Sequence, residues 1–570
     1  MLRNKRSFAL ISLVIAMTLV LSACAQPAAG PAATGGEEAL LAGPQPLPAY
    51  STYINMNLGT EPPTLDPNLS TDTTAIQCVE LLFLGLTDFD DETLDTIPEI
   101  GTEWAVSDDG LVWTFKMRED VEWVHYDPSA KTVEVKGPVT AHDIVYSVKR
   151  TIDPETASNY AYVDYIVKNG QAVNTGESTD LDSIGVRALD DYTVEFTLEQ
   201  PAGYFPGIAG MWVNRPVPQA VIEQYGDSWT EPGNIWTNGP YLLDTWEHEN
   251  RMVMVKNPYY VSADTVQIET INWVMVVEAS TAFAMYENGE LDVESPPLDD
   301  MDRVKADPVL SQELYIAPRL CQYYFGFNTT KAPFDSVLVR QAFSYALDRQ
   351  KLIDTVLKGE QRPAVSFAPP GIFGSVADAP DFPGITFDPE KARELLAEAG
   401  YPNGEGLPDI TFMFNTSEGH QKIAQFAQQS WKENLGVDVQ LANQEWAVYL
   451  DTVDEDAPQI FRQGWCADYP DQNNWVLEVF HPLKGANDPM WDTESESAKA
   501  FMAATERGAA VSDPDERAAA YFEAEQILCA DEAIIVPVYY YTRVVCTRPY
   551  VQRTYAALGG QHIDMWTIKR

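Results

Sequence analysis

Apolar and polar positions alternate over residues 53–58, 112–117 and 193–198, a period of two that predicts half-buried strands. Residues 410–414, 437–441 and 534–541 read as further strands, the last a β-rich run. Residues 241–255 read as a hairpin turning near Glu249-Asn250. Between these runs the apolar residues recur at helical spacing. Helices are expected at 74–84, after an Asp/Thr cluster, and at 141–148, with Thr140 as N-cap. Others are expected at 279–288 before Gly289, 337–348, 389–399 before Gly400, 423–434 before Gly436, and 515–530. Strands and helices alternate throughout, which predicts an α/β protein with no internal repeat.

At 570 residues the chain has room for two to four domains. Its formal net charge of −48 excludes nucleic acid as a partner, because phosphate binding needs a basic footprint. Solubility is a sufficient account of the charge. The first residues form a targeting segment. Arg3, Lys5 and Arg6 precede an apolar stretch from 8 to 20, and Leu21-Ser22-Ala23-Cys24 follows. This resembles a lipoprotein signal over 1–23, with Cys24 as the lipidated first residue of the mature chain. An uncleaved membrane anchor is the rival, and the apolar stretch is short for it. Either way the body lies outside the cytoplasmic membrane, anchored by a lipid in the first case. Residues 24–49 are rich in Ala, Pro and Gly and read as the lipidated Cys with a flexible linker.

Chemistry concentrates in Arg462-Gln463-Gly464-Trp465-Cys466-Ala467-Asp468-Tyr469, which holds a guanidinium, an indole, a thiol and a carboxylate. If extended, it places Arg462, Gly464, Cys466 and Asp468 on one side. The alternative is a buried strand that turns at Pro470 and pairs its charges internally.

This octapeptide resembles the ligand-contacting segment of bacterial oligopeptide-binding proteins, the family 5 extracytoplasmic receptors of peptide ABC transporters. Asn415-Thr416-Ser417 with His420, Leu435-Gly436-Val437, Asn443-Gln444-Glu445-Trp446 and Leu450-Asp451-Thr452 extend the likeness. So do Leu320-Cys321, Pro333-Phe334, Arg340, Asp348-Arg349, Ala141-His142-Asp143, Asp153-Pro154, Ala157-Ser158-Asn159-Tyr160, Asn238-Gly239-Pro240-Tyr241 and Pro537-Val538-Tyr539-Tyr540-Tyr541. The resemblance implies a two-lobed type II, Venus-flytrap fold of the periplasmic-binding-protein kind, with an additional third domain. Lobe I would comprise 50–83, 219–320 and 542–570, the extra domain 84–218, and lobe II 321–541, with hinge crossings near 320 and 541. Residues 125–137, longer than the family leads one to expect, read as a surface hairpin without an assigned purpose.

The resemblance also implies roles. Asp468 would hold the α-amino group of a short peptide, and Arg462 and His420 its carboxylate. The alternatives are a structural ion pair for Asp468 and a helix-capping role for His420. Trp446 and Trp465 would wall side-chain pockets, or else be ordinary core. Tyr160 would reach the ligand backbone through its hydroxyl. Gly464, Cys466 and the segment Ser70, Thr71, Asp72 would pair with it through backbone groups. The family's ligand-facing acid aligns with Thr71, beside Asp72, and a further family arginine is Val453 here. Cys321 is expected to be disulfide-bonded to Cys466. Cys78, Cys529 and Cys546 have no family counterparts, so one further pair plus a free thiol, or three thiols, stay open.

A receptor of the same fold for an oligosaccharide, nickel or heme is the rival function. Nickel would favour more histidine than the six in the chain, and a sugar has no use for Asp468 opposite Arg462. None of the motifs G-x-S-x-G, H-E-x-x-H, G-x-x-x-x-G-K-[ST] or G-x-G-x-x-G occurs, so no enzyme is expected. No cofactor or metal is expected either. The expected partners are peptides, permease subunits and the membrane, for a monomeric chain.

Overall fold

The computed structural model describes residues 43–558 and 560–570. The lipoprotein signal, Cys24 and most of the linker lie outside the described residues. The end of the linker does not stay free: Gln45 and Pro46 pair with Val133 and Thr132, and the amide of Leu47 donates to the carbonyl of Lys131. The hairpin left without an assigned purpose, Glu122–Asp127 with Thr132–Pro138, is what this segment docks on.

The alternation of the chain is realised as an eleven-stranded sheet flanked by helices, while two of the expected strands, Val112–Met117 and Thr193–Thr197, pair with each other in a separate four-stranded sheet. Tyr53–Asn57 forms a strand parallel to Thr270–Val274, and the hairpin Tyr241–Glu247 with Arg251–Lys256 extends that side. On the other side Ile460–Cys466 pairs with Leu314–Phe327, and Ile410–Asn415 lies parallel between Ile460–Cys466 and Val439–Gln444. Two long strands, Leu314–Phe327 and Ile535–Thr547, join the two sides and pair with each other. The expected crossings near 320 and 541 fall on them, where the register shifts between Pro318 and Gln322. The second of these strands runs to Thr547, beyond the β-rich run read at 534–541.

Helix ends follow local chemistry. Thr140 and Asp143 form a capping box at Ala141–Ile152. Gly289 and Gly436 close Ala279–Asn288 and Glu418–Leu435 in the left-handed conformation, where a side chain would be strained. The second of these helices starts before the expected 423, because Ser417 caps it through the amide of His420. The strand Leu314–Phe327 and the helix Trp446–Asp456 carry little periodicity and were not legible as elements.

The hydrophobic interior divides by lobe. One cluster runs from Ile54 through Phe115, Trp212 and Tyr241 to Trp273, so the segments read as lobe I and as the extra domain share one core. Two other clusters, around Phe325 with Trp431 and around Tyr324 with Trp475, occupy the segment read as lobe II. The lobes are closed on each other. Tyr160 stacks on Trp465 at 6.1 Å, Tyr204 stacks on Tyr469 at 5.5 Å, and Asn159 Nδ2 donates to Asp454 Oδ2 at 2.9 Å.

Candidate ligand-binding site

The closed lobes enclose a cavity of about 250 Å³ lined on one wall by Arg462, Gly464, Trp465, Cys466 and Asp468. The strand Ile460–Cys466 presents this wall because its far end is pinned. Cys466 lies opposite Cys321 in register and is disulfide-bonded to it. Cys78, Cys529 and Cys546 are buried free thiols, which resolves the alternatives left open by the sequence. After Cys466 the chain turns, and Asn474 fixes the turn. Its Oδ1 accepts from the Asp468 amide at 2.9 Å and from the Trp465 indole N–H at 3.1 Å. Its Nδ2 donates to Asp468 Oδ2 at 2.7 Å and to Glu478 Oε2 at 2.8 Å. One buried amide thus orients both the carboxylate and the indole that the octapeptide carries. Sequence reasoning missed Asn474. Its only signal is an amide pair, Asn473-Asn474, leading into a buried helical turn that starts the apolar run around Trp475.

Among the described residues Asp468 has no lysine or arginine partner. Burial holds its carboxyl well above the usual carboxylate range, with Asn474 opposing that shift and the nearby Glu478 adding to it. The internal ion pair that rivalled a ligand role is therefore not formed. Arg462 is the converse case. It is 8% exposed, donates to Tyr541 Oη at 2.9 Å and Asn415 Oδ1 at 3.2 Å, and lies over the Tyr323 ring at 4.7 Å. Burial opposes its charge, but the surrounding tyrosine hydroxyls outweigh that and hold its pKa up. Among the described residues it meets oxygens and a π face, and no carboxylate. Gly464 lies between the two charges. A Cβ there would come within 3.2 Å of the Gln322 carbonyl and 3.5 Å of Arg462 Nη2, so glycine keeps the wall open beside the guanidinium.

Tyr160, Trp446, Thr71 and Asp72 line the same cavity, facing the strand from other elements. Asp72 caps the helix Thr73–Leu82 through Oδ1, and its Oδ2 is buried without a hydrogen-bond partner. The loop leading to it is held by Asp66, which Arg150 grips at 2.8 and 2.7 Å and the Trp229 indole N–H meets at 2.8 Å. Two expected site residues are not in the cavity lining. Ser70 lies behind it, with its carbonyl accepting from the Trp212 indole at 2.8 Å. His420 lines an adjacent cavity that shares Arg319 and Tyr541 with the first. Burial, then the charge of Arg462, pushes its pKa well below the ordinary histidine value, so it offers a neutral ring. Its Nδ1 lies 3.3 Å from Tyr323 Oη. Arg319 lines both cavities and went unnoticed in the sequence. Burial lowers its pKa, with Tyr541 opposing the shift.

Comparison with known proteins places this geometry in context. Residues 95–487 match the family model described as bacterial extracellular solute-binding proteins, family 5. The oligopeptide-binding protein OppA of Bacillus subtilis is 33% identical over 548 residues, covering 94% of this chain and 95% of its own. The Haemophilus influenzae OppA structure in complex with RPPGFSPFR superposes with a TM-score of 0.79 at 29% identity, covering 92% of this chain and all of that one. The Escherichia coli murein tripeptide-binding protein MppA is also 29% identical. One of its structures covers 92% of this chain and 99% of its own with a TM-score of 0.82, whereas its unliganded open form covers 92% and 98% with 0.61. The drop fits the contacts that hold the lobes together here.

Proposed function

The chain belongs to the bacterial extracellular solute-binding proteins of family 5, and from that premise we propose that it is the peptide receptor of an ABC transporter. It captures short peptides between its closing lobes and hands them to membrane permease subunits. The observation that carries this reading is a pair of opposite charges on one stretch of chain. Asp468 and Arg462 face one cavity, and neither has a counter-ion among the described residues. Each alone makes a poor closed state, because a buried charge without a partner is costly. A zwitterion with an ammonium at one end and a carboxylate at the other satisfies both at once. A sugar satisfies neither charge, and a metal cation only one.

Gly464 and Cys466 offer backbone groups to the extended ligand, and Tyr160, Trp446 and Trp465 are walls for its side chains. The strands Leu314–Phe327 and Ile535–Thr547 are the hinge, and the lobe boundaries at 320 and 541 lie on them. Cys24 supplies the lipid anchor that keeps the receptor at the outer face of the membrane. Native mass spectrometry of the purified protein, followed by release of its contents, tests the reading. Co-purified or added short peptides should bind one per chain. A protein that binds no peptide but retains a sugar or heme overturns it.

A further inference from the structure

The Asp468–Arg462 pair leaves part of the cavity unexplained. Trp446 and Leu450 stand one helical turn apart on Trp446–Asp456 and so present one face to it. Tyr324 and Val479 add apolar surface, and Asp488 lies in this wall. Asp488 is 8% exposed. The groups that favour its charge are its own backbone N–H and the Gln463 amide, and the charged group nearby is Asp454, of like sign. Asp72 approaches from the other lobe. It is 5% exposed, and its Oδ2 has no hydrogen-bond partner. The indole N–H of Trp446 lies beside it and favours its charge, although it too closes no hydrogen bond in this structure.

We propose that this wall is a side-chain subsite that selects a basic residue, lysine or arginine, of the bound peptide. The inference rests on the receptor reading above. The charges support it. Asp468 and Arg462 are taken up by the peptide's own ends, whereas Asp72 and Asp488 line the cavity with no lysine or arginine in ion-pair contact among the described residues. A lysine side chain fits such a wall. Its apolar stem covers Trp446 and Leu450 while its ammonium reaches the carboxylates. Trp446 can also receive the cation over its ring. Burial pushes both carboxyls up, to about 7 for Asp488, as expected of acids that lack a cation. The excess of acid over base in the chain favours arrival of cationic ligands at low salt.

The test uses the full-length protein freed of bound peptide, and alanine tripeptides in which lysine or norleucine occupies each position in turn. Titration calorimetry should find one position at which lysine binds at least tenfold more tightly than norleucine. In Asp488→Asn and in Asp72→Asn, which keeps the capping oxygen, that ratio should fall toward one. Norleucine equal to or better than lysine at every position overturns the proposal. So does a lysine preference that survives in both variants. Failure of every peptide to bind the wild type is a different result: it removes the receptor reading, and this inference with it.

Discussion

Replacing Asp468 with asparagine removes one charge and almost nothing else. The asparagine carbonyl can keep the 2.7 Å hydrogen bond from Asn474 Nδ2, and the backbone amide keeps its own bond to Asn474 Oδ1. What is lost is the counter-charge for the peptide's amino group. Truncating one member of a buried charge pair costs roughly 2–5 kcal/mol, which is on the order of 30-fold to several thousandfold in affinity. Asp468 is buried and makes no ion pair in the protein, so the upper half of that range is expected. Acetylating the peptide's amino terminus removes the same interaction from the other side. Calorimetry on the four combinations closes a double-mutant cycle. Each single change should be severe and the second change should add little. Fully additive losses would show that Asp468 does not meet the amino group.

The same substitution has a signature in the empty protein. Asp468 has its pKa raised on folding, so its share of stability is present below the unfolded carboxylate pKa, near 4. It is lost as pH rises through the higher folded value. At neutral pH the closed, empty protein therefore carries an uncompensated or protonated acid. Asp468→Asn should raise the melting temperature of the ligand-free protein at pH 7 and leave it nearly unchanged at pH 3.5. A lower melting temperature at pH 7 would mean that the carboxylate has a cationic partner in the protein after all.

Asn474→Ala should weaken peptide binding roughly tenfold to a hundredfold, since hydrogen bonds to charged groups contribute about 1.5–3 kcal/mol and both Asp468 and Trp465 lose their anchor. An unchanged affinity with a lowered melting temperature would assign Asn474 to folding alone. Mapping of unreduced peptides should recover Cys321 joined to Cys466, and reduction should destabilise the protein by at most about 5 kcal/mol, the chain-entropy value for a loop of this length. Free thiols at both positions in oxidised protein would contradict the pairing. X-ray scattering should show a smaller radius of gyration with peptide than without, and an equal radius at saturating peptide would remove the hinge.

Much of the site's inventory was legible because it sits in one run of residues whose chemistry is unusual for a strand. Arg462, Trp465, Cys466 and Asp468 were singled out together, and they line one wall. Helix ends at Thr140, Gly289 and Gly436 were legible because caps are local chemistry. What escaped depends on long-range packing. Asn474 becomes a hub only when the turn after Cys466 folds back, and an amide six residues from an acid carries no signal by itself. Asp488 belongs to a surface-like Asn-Asp-Pro sequence yet ends up buried against Trp446's helix. The strand Leu314–Phe327 has little alternation because both of its faces are covered over its second half, from Leu320 on. His420 was placed by family spacing, and the fold puts it one cavity away.

The unpaired charges also bear on how closure is coupled to the ligand. A receptor whose lobes closed as readily when empty would offer a permease no sign that it was loaded. Here the contacts between lobes include two aromatic stacks, the Arg517 guanidinium over the Tyr204 ring, and exposed polar pairs such as Lys422 with Asp299 and Ser280 with Glu418. Exposed pairs of this kind contribute little. Against the contacts stands the burial of Asp468, Asp488 and Arg462 without counter-ions among the described residues, a cost that closure increases by covering the cleft. A ligand can shift a two-state equilibrium only by its differential affinity for the two states. Closure supplies that difference by stripping water from the cleft, which strengthens the attraction of Asp468 and Arg462 for a peptide's ammonium and carboxylate. The features that make the empty closed cleft poor are, on this account, the ones that make the filled one stable.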